Sequence, residues 1–431
     1  MAKIILSVGG VEGHTFPVLP IAKGLVQLGH QVHWIGSGSF REAIEKTGSI
    51  FYPIPEEFDP HYLGIPIYEF RPALAKKKGM DQIKEYLMWF FDEVGEFFDT
   101  FNQLIKEVQP DIFIGDPVNF SPLFFGEILG KPTINLHVVP PLILSQDTAP
   151  FGSGLLPGKS PLMRVRNRIL NYLVDRVLFK DLTAYGNQVR KRLNLPTYQG
   201  FFGDFNKFVD RVLILSVPGF DYERSDMPDN HHFIGPSIPK SDHHWEKPDW
   251  WGDLEKAKKV ILVNQGTIAN SIQDLIIPTL IALKDEPDTL VVAVPVKEEI
   301  PNLPANARVA PFIPFANLLP HVDLLVTNGG YGGTNMALGF GIPMVIGGAT
   351  EDKMEVAQRV TVSGTGIDMK TMKPTPQKLK AAIQEVFTNP KYKQNALRLK
   401  KEIESYDSVA LVDQAIKELL EKYNKKNKVL V

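Results

Sequence analysis

Two side chains, His14 and Asp116, have the types and positions for acid–base chemistry, and one glycine run after Asn328 has the composition of an anion site. His14 follows the apolar run Ile4–Val8 and a glycine turn, with a helix beginning between His14 and Pro17. In an open α/β sheet, a residue just past the C-terminal end of a strand faces the crevice where ligands bind. An imidazole there has an ordinary pKa near neutrality and can take a proton from a hydroxyl. Standing alone, a histidine in this position is more often structural or incidental than catalytic. Asp116 gives it company, because it follows the strand Asp111–Gly115 and so lies at the same sheet edge. A carboxylate behind an imidazole orients the ring and stabilises the imidazolium. The same carboxylate would also serve as a cap for the segment opening near Asn119, and the sequence leaves both roles open. Asp111, at the opposite edge, reads as structural.

Val326 to Leu338 reads VTNGGYGGTNMAL, a strand running into four glycines and then a helical pattern. Glycines let backbone approach a ligand, and the helix start presents unpaired amides and a positive dipole end. A diphosphate fits such a site, and Thr334 adds a hydroxyl donor. The alternative is a plain strand-to-helix turn, which four glycines disfavour. Gln265 and Thr267 close the first strand of the second half, again placing small polar groups at a crevice. Glu351 and Asp352 follow the strand Pro343–Ile346; they either hold sugar hydroxyls or occupy the first turn of the next helix, where the dipole favours them.

The elements that must position these residues alternate. Candidate strands are Ile4–Val8, Gln31–Ile35, Asp111–Gly115, Thr133–Val138 and Val212–Ser216 in the first half. Val260–Asn264, Thr289–Val294, Leu324–Thr327 and Pro343–Ile346 follow in the second. Helical patterns between them predict parallel sheets covered by helices, one doubly wound domain per half. The expected divisions are 1–235, a linker at 236–251, 252–407, and a C-terminal helix over 408–431. Asn230 to Trp251, with four histidines, several prolines and a Trp pair, reads as a solvated linker, since two adjacent His pairs lack metal-ligand spacing. Asp81 to Val108 carries aromatic and aliphatic residues at helical spacing, which predicts core packing, with a wall for an apolar pocket as the functional alternative. Pro161 to Leu195 is amphipathic and basic, with Arg164, Arg168, Arg176 and Arg190 among its charges. It reads as a solvated face and leaves open a weak contact with an anionic membrane surface.

At 431 residues, 44% apolar and 22% charged, the chain is globular and long enough for two domains. A net charge of -2 gives no electrostatic reason to expect nucleic acid. The absence of cysteine removes disulfides, thiolate metal sites and a thiol nucleophile, and fits a cytoplasmic protein. The first strand is too short and too glycine-interrupted to read as a signal peptide.

These motifs together resemble the family 1 glycosyltransferases, in particular the bacterial macrolide- and flavonoid-type enzymes, along essentially the whole chain. Gly13 and His14 with Pro17 are similar to that family's Gly-His-x-x-Pro element, and Pro110 to Asp116 to its strand ending in an aspartate. Phe312 to Phe315 resembles its Trp-x-Pro-Gln element, Thr327 to Leu338 its donor signature, and Gly347 to Lys353 its sugar loop. The resemblance implies a GT-B fold: two Rossmann-like domains facing across a cleft, with the C-terminal helix returning to the N-terminal domain. It implies inverting, metal-independent transfer from a nucleotide diphosphate sugar, with a UDP-sugar expected, to a hydroxyl of a small apolar or aromatic acceptor. No cofactor or metal is expected. Carried over, His14 is the general base and Asp116 its partner. Gln265, Thr267, Asn328, Gly330, Gly332, Gly333 and Thr334 line the phosphates. Phe312 lies against the nucleobase, and Glu351 and Asp352 face the sugar.

The chain departs from that pattern at Asn328, where the family has histidine, and at Met336, where it has the ribose-binding glutamate. Phe312 stands for tryptophan, Phe315 for glutamine and Lys353 for glutamine; a surface lysine is the plain expectation at 353, and a reader of a charged sugar the functional one. Two rival readings accompany the resemblance: a transferase acting on a lipid carrier at the membrane surface, and a sugar-nucleotide binding protein without transfer activity.

Overall fold

A computed structural model of the chain describes residues 1–198, 200, 208–266, 271–295, 299–300, 302–348 and 352–429. The first unit comprises Met1–Leu215, Arg224–Ser237 and Asp407–Val431, and the second Ser216–Glu223 and Ile238–Tyr406.

The first unit is built on β1 (Lys3–Leu6), β2 (Gln31–Gly36), β3 (Ile50–Pro53), β4 (Ile112–Gly115), β5 (Thr133–His137), β6 (Arg211–Ile214) and β7 (His231–Phe233). They form one sheet in the order β3-β2-β1-β4-β5-β6-β7, every neighbouring pair parallel. The second unit carries β8 (Lys259–Asn264), β9 (Thr289–Val294), β10 (Ala307–Val309), β11 (Leu324–Thr327), β12 (Met344–Ile346) and β13 (Gly366–Asp368). Their order is β10-β9-β8-β11-β12-β13, again wholly parallel. Both are doubly wound, as the α/β pattern predicts. Sheets covered by helices on both faces bury their central strands, and β1, β4 and β5 are buried along nearly their whole length, β5 with the polar Thr133, Asn135 and His137 among its residues.

All nine candidate strands are present. Four others, β3, β7, β10 and β13, give no signal in the sequence, and these four are the outermost strands of the two sheets. Their burial is broken by exposed or half-exposed residues, so none presents a continuous apolar run. The stretch expected as a solvated linker is accordingly corrected at both ends. His231 is buried on β7, and Trp251 packs in the second unit's core with Trp245 and Trp250 against it.

The helix Gly79–Val108 buries Trp89, Phe90, Phe91, Val94, Phe97 and Phe101, as its spacing predicts. The C-terminal helix Ser408–Val429 closes the first unit. Its Val412, Ala415, Ile416 and Leu419 join the core that contains Ile21 and Leu25 of the helix Leu19–Gln27. A side chain at Gly24 would reach within 2.4 Å of Val409, and His30 Nε2 meets Asp413 Oδ1 at 2.9 Å. Arg190, expected on a solvated face, is fully buried. It forms two bonds to Glu127, of 2.8 and 2.5 Å, the bidentate geometry a guanidinium fork is suited to.

Candidate active site

In the first unit the strand order reverses at β1, since β2 lies on one side and β4 on the other. The crevice at such a switch point, outside the strand C-termini, is where open α/β sheets bind ligands. His14 stands on the short helix Glu12–Thr15 after β1, and Asp116 follows β4 directly. Asp116 Oδ2 meets His14 Nδ1 at 2.5 Å and accepts from the Gly9 amide at 3.1 Å. Its Oδ1 accepts from the amides of Val118 at 3.1 Å and Asn119 at 2.8 Å. Asp116 Oδ2 thus faces the imidazole, while Oδ1 closes the turn over Val118 and Asn119 and does not cap the helix Ser121–Leu129, whose N-cap is Phe120. A side chain at Gly9 would lie 2.6 Å from Val118 Cγ2, so glycine is what lets the β1 and β4 loops close on each other. Asn119 Nδ2 donates to Ser7 Oγ at 2.9 Å, and Ser7 Oγ donates to the Ile35 carbonyl at 2.7 Å, which ties the loop to the sheet. Asp116 is wholly buried, whereas the His14 side chain keeps 13% exposure. With the proton on Nδ1 facing the carboxylate, the imidazole lone pair is on Nε2, at the far edge of the ring.

The second unit has its own switch point between β8 and β11. The helix Tyr331–Gly339 begins there with Gly330 as N-cap and no acidic residue in its first turn. Its first amides, Tyr331, Gly332 and Gly333, precede the first intrahelical bond, which Thr334 donates to the Gly330 carbonyl at 3.0 Å. A Cβ built on Gly330 meets nothing within 4 Å, and on Gly333 only the Phe315 ring at 3.9 Å. These glycines therefore leave open space beside the helix start. Gly348 is different: a Cβ there would lie 1.8 Å from the Asn328 carbonyl oxygen, so the loops after β11 and β12 touch backbone to backbone. Thr334 Oγ1 is buried with no hydrogen-bond partner among the described residues, an arrangement that costs about 1–3 kcal/mol until something bonds it.

Several of the expected donor-site residues make contacts within the second unit. Asn328 Nδ2 donates to the Gln265 carbonyl, and Gln265 Oε1 accepts from the Ile276 amide at 3.4 Å. These two amides join the β8 and β11 loops to each other and to the following helix. Lys353, expected at the surface, is buried at the start of the helix Lys353–Ser363, and its Cβ lies 3.9 Å from where a Cβ at Gly329 would stand. Asp352 is the N-cap of that helix. Phe312 is 64% exposed. Thr267 and Glu351 lie outside the described residues.

The N-terminal domain of glycosyltransferase family 28 matches residues 4–121, and the C-terminal domain of the erythromycin biosynthesis protein CIII-like family matches residues 279–419. A 4'-demethylrebeccamycin synthase of Lentzea aerocolonigenes is 36% identical over 411 residues, covering 95% of this chain and 97% of that protein. The chain is a family 1 glycosyltransferase. A UDP-glucosyltransferase A1 of Starmerella bombicola is 32% identical to this transferase over 431 residues, covering 96% of it and 92% of the relative. Among solved structures, a glycotransferase of kitacinnamycin superposes with a TM-score of 0.75 at 21% identity, covering 97% of this chain and 99% of that one.

Two buried ionisable groups of the transferase carry no signal in the sequence. Arg359 is fully buried in the second unit. It bonds Asp221 at 2.8 Å and Glu355 Oε2 at 2.9 Å, and its guanidinium lies 4.2 Å from the Tyr222 ring centroid. Asp221 and Tyr222 are distant in sequence, and no local spacing announces them. Glu93, on the helix Gly79–Val108, has its carboxyl pushed up to about 8 by burial and by Glu96, against Arg71, with Asp116 and Asp92 adding to the rise. The folded protein therefore holds a proton on Glu93 that the unfolded chain releases near its ordinary value. The stability this contributes is complete below about pH 4.5 and is lost as pH rises through about 8. Guanidinium unfolding of Glu93→Gln should show a shallower fall in stability than wild type across that window. Parallel pH profiles for the two proteins would contradict the assignment.

Proposed function

We propose that this glycosyltransferase moves a sugar from a UDP-sugar onto a hydroxyl of a small, largely apolar natural product, with inversion and without a metal. The observation that carries the reading is the buried Asp116 carboxylate held 2.5 Å from His14 Nδ1, at the switch point of the first sheet. His14 Nε2 takes the acceptor proton as the acceptor oxygen forms its bond to the anomeric carbon. The bond from that carbon to the diphosphate breaks on the opposite face, and the electron pair leaves with UDP. Asp116 holds the ring and balances the imidazolium that results. The amides of Tyr331, Gly332 and Gly333 stabilise the charge gathering on the leaving diphosphate, so a metal ion is unnecessary for that task. Thr334 Oγ1 would find its missing partner in a phosphate oxygen. The UDP donor is supported by the name of the Starmerella relative, and the natural-product acceptor by that of the Lentzea relative.

The test pairs binding with turnover. UDP-sugars should raise the thermal midpoint, since a ligand of the native state stabilises it by mass action. A panel of aromatic acceptors with the best donor should then release UDP and yield an equal amount of β-configured product from an α-donor. A thermal shift without product would return the chain to the sugar-nucleotide binding reading. A product of retained configuration would overturn the single displacement.

A further inference from the structure

We propose that the helix Pro161–Leu173, with its continuation Val174–Leu178, is a docking face for an anionic lipid surface. The assignment is independent of the sugar-transfer reading. Soluble helices turn their apolar stripe inward, and this one does the reverse. Its inward face is polar: Asn167 is fully buried and donates to the Gln146 carbonyl at 3.0 Å. Asn171 donates to the Ser145 carbonyl at 2.7 Å, and Arg164 pairs with Asp147 at 2.8 Å. The outward face carries Leu162, Val165, Ile169, Tyr172, Leu173 and Val177, each between 46% and 80% exposed. Their spacing places them in one stripe along the helix, and Leu155 and Leu156 lie exposed in the loop before it. A contiguous exposed apolar stripe of this kind marks an interaction site.

The charges beside the stripe choose the occupant. Arg168 and Lys180 are exposed along the same stretch, and Arg176, also exposed, sits in an ion pair with Asp175. The nearby carboxylates Asp175 and Asp181 are paired, with Arg176 at 2.9 Å and Lys84 at 2.8 Å. A two-fold contact between copies of the chain would set these cations against themselves, since such an interface meets its own patch. An anionic bilayer accepts both the apolar stripe and the cations, which is how interfacial helices bind. Among the described residues no helix is long and apolar enough to cross a membrane, so the contact is one of lying on the surface.

Sedimentation of the full chain with vesicles tests this. Wild type should pellet with phosphatidylcholine vesicles containing roughly 30% phosphatidylglycerol and stay in solution with phosphatidylcholine alone, and high salt should release it. The double variants Ile169→Glu with Val177→Glu, and Arg168→Glu with Arg176→Glu, should each cut the bound fraction by about tenfold. All four positions are exposed, and circular dichroism will report whether the fold survives. Tyr172→Trp supplies a second readout, a blue shift of emission on adding the anionic vesicles. Wild type remaining in the supernatant, equal pelleting of the variants, or unshifted emission from the Tyr172→Trp protein would each overturn the proposal. Self-association abolished by Ile169→Glu with Val177→Glu would overturn it in favour of a second copy.

Discussion

His14→Ala is expected to lose about 100-fold or more of the transfer rate, the usual cost of removing a general base, while the protein still binds UDP-sugar. The two halves of that expectation rest on separate parts of the chain. His14 belongs to the first unit, and the helix start at Gly330 to the second, so the truncation leaves the proposed phosphate amides in place. It should also leave the fold in place. Asp116 keeps its three backbone donors, Gly9, Val118 and Asn119, and the side chain removed is itself partly exposed. Turnover by quantified UDP release, set beside donor binding by calorimetry, reads both. Turnover near wild type would take His14 out of the chemistry. A parallel loss of donor binding would mean that the substitution acts through structure instead.

The largest effect on stability is expected at Arg359. Truncation to alanine removes the guanidinium from Asp221 and Glu355, whose side chains are 1% and 6% exposed, and leaves their charges in the interior. Breaking a buried pair in this way costs about 3–5 kcal/mol. The loss of the Tyr222 face beneath the guanidinium adds to it. Asp221 and Tyr222 belong to Ser216–Glu223, the segment by which the chain first enters the second unit before Arg224 returns it to the first. Limited proteolysis of Arg359→Ala should therefore open that segment early, and its guanidinium midpoint should fall well below that of wild type. A change within about 0.5 kcal/mol, the range of ordinary surface substitutions, would show that the network contributes little. Arg359→Lys should recover only part of the loss, because an ammonium lacks the fork that meets Asp221 and Glu355 together.

Central strands were legible because a strand buried on both faces is predominantly apolar, even where β5 carries the buried polar residues Thr133, Asn135 and His137. The edge strands β3, β7, β10 and β13 were not, because an outer strand is only half covered and its residues follow local needs. The candidate site was legible for a related reason. The end of an apolar run is visible in a sequence, and in a parallel sheet each such end lies at the ligand-binding edge, so His14, Asp116 and the glycine loop are each marked by the strand that precedes them. The roles within the loops were less visible. Asn328 and Gln265 look like phosphate donors by position, and the structure adds contacts the sequence does not show: Asn328 Nδ2 donates to the Gln265 carbonyl and Gln265 Oε1 accepts from the Ile276 amide. Lys353 looks like a surface lysine and is buried against the glycine turn.

The sequence by itself determined the α/β architecture, the two doubly wound sheets, the family, and the candidate groups at the strand ends, since periodicity, glycine and apolar runs are local properties of the chain. Only the tertiary structure decided which of those groups meet. The 2.5 Å approach of His14 to Asp116, the burial of Arg359 among Asp221, Tyr222 and Glu355, and the outward turn of the apolar stripe from Leu162 to Val177 are all decided through space. Such arrangements are fixed by which loops and helices the sheet order brings together, and no window of sequence contains that information.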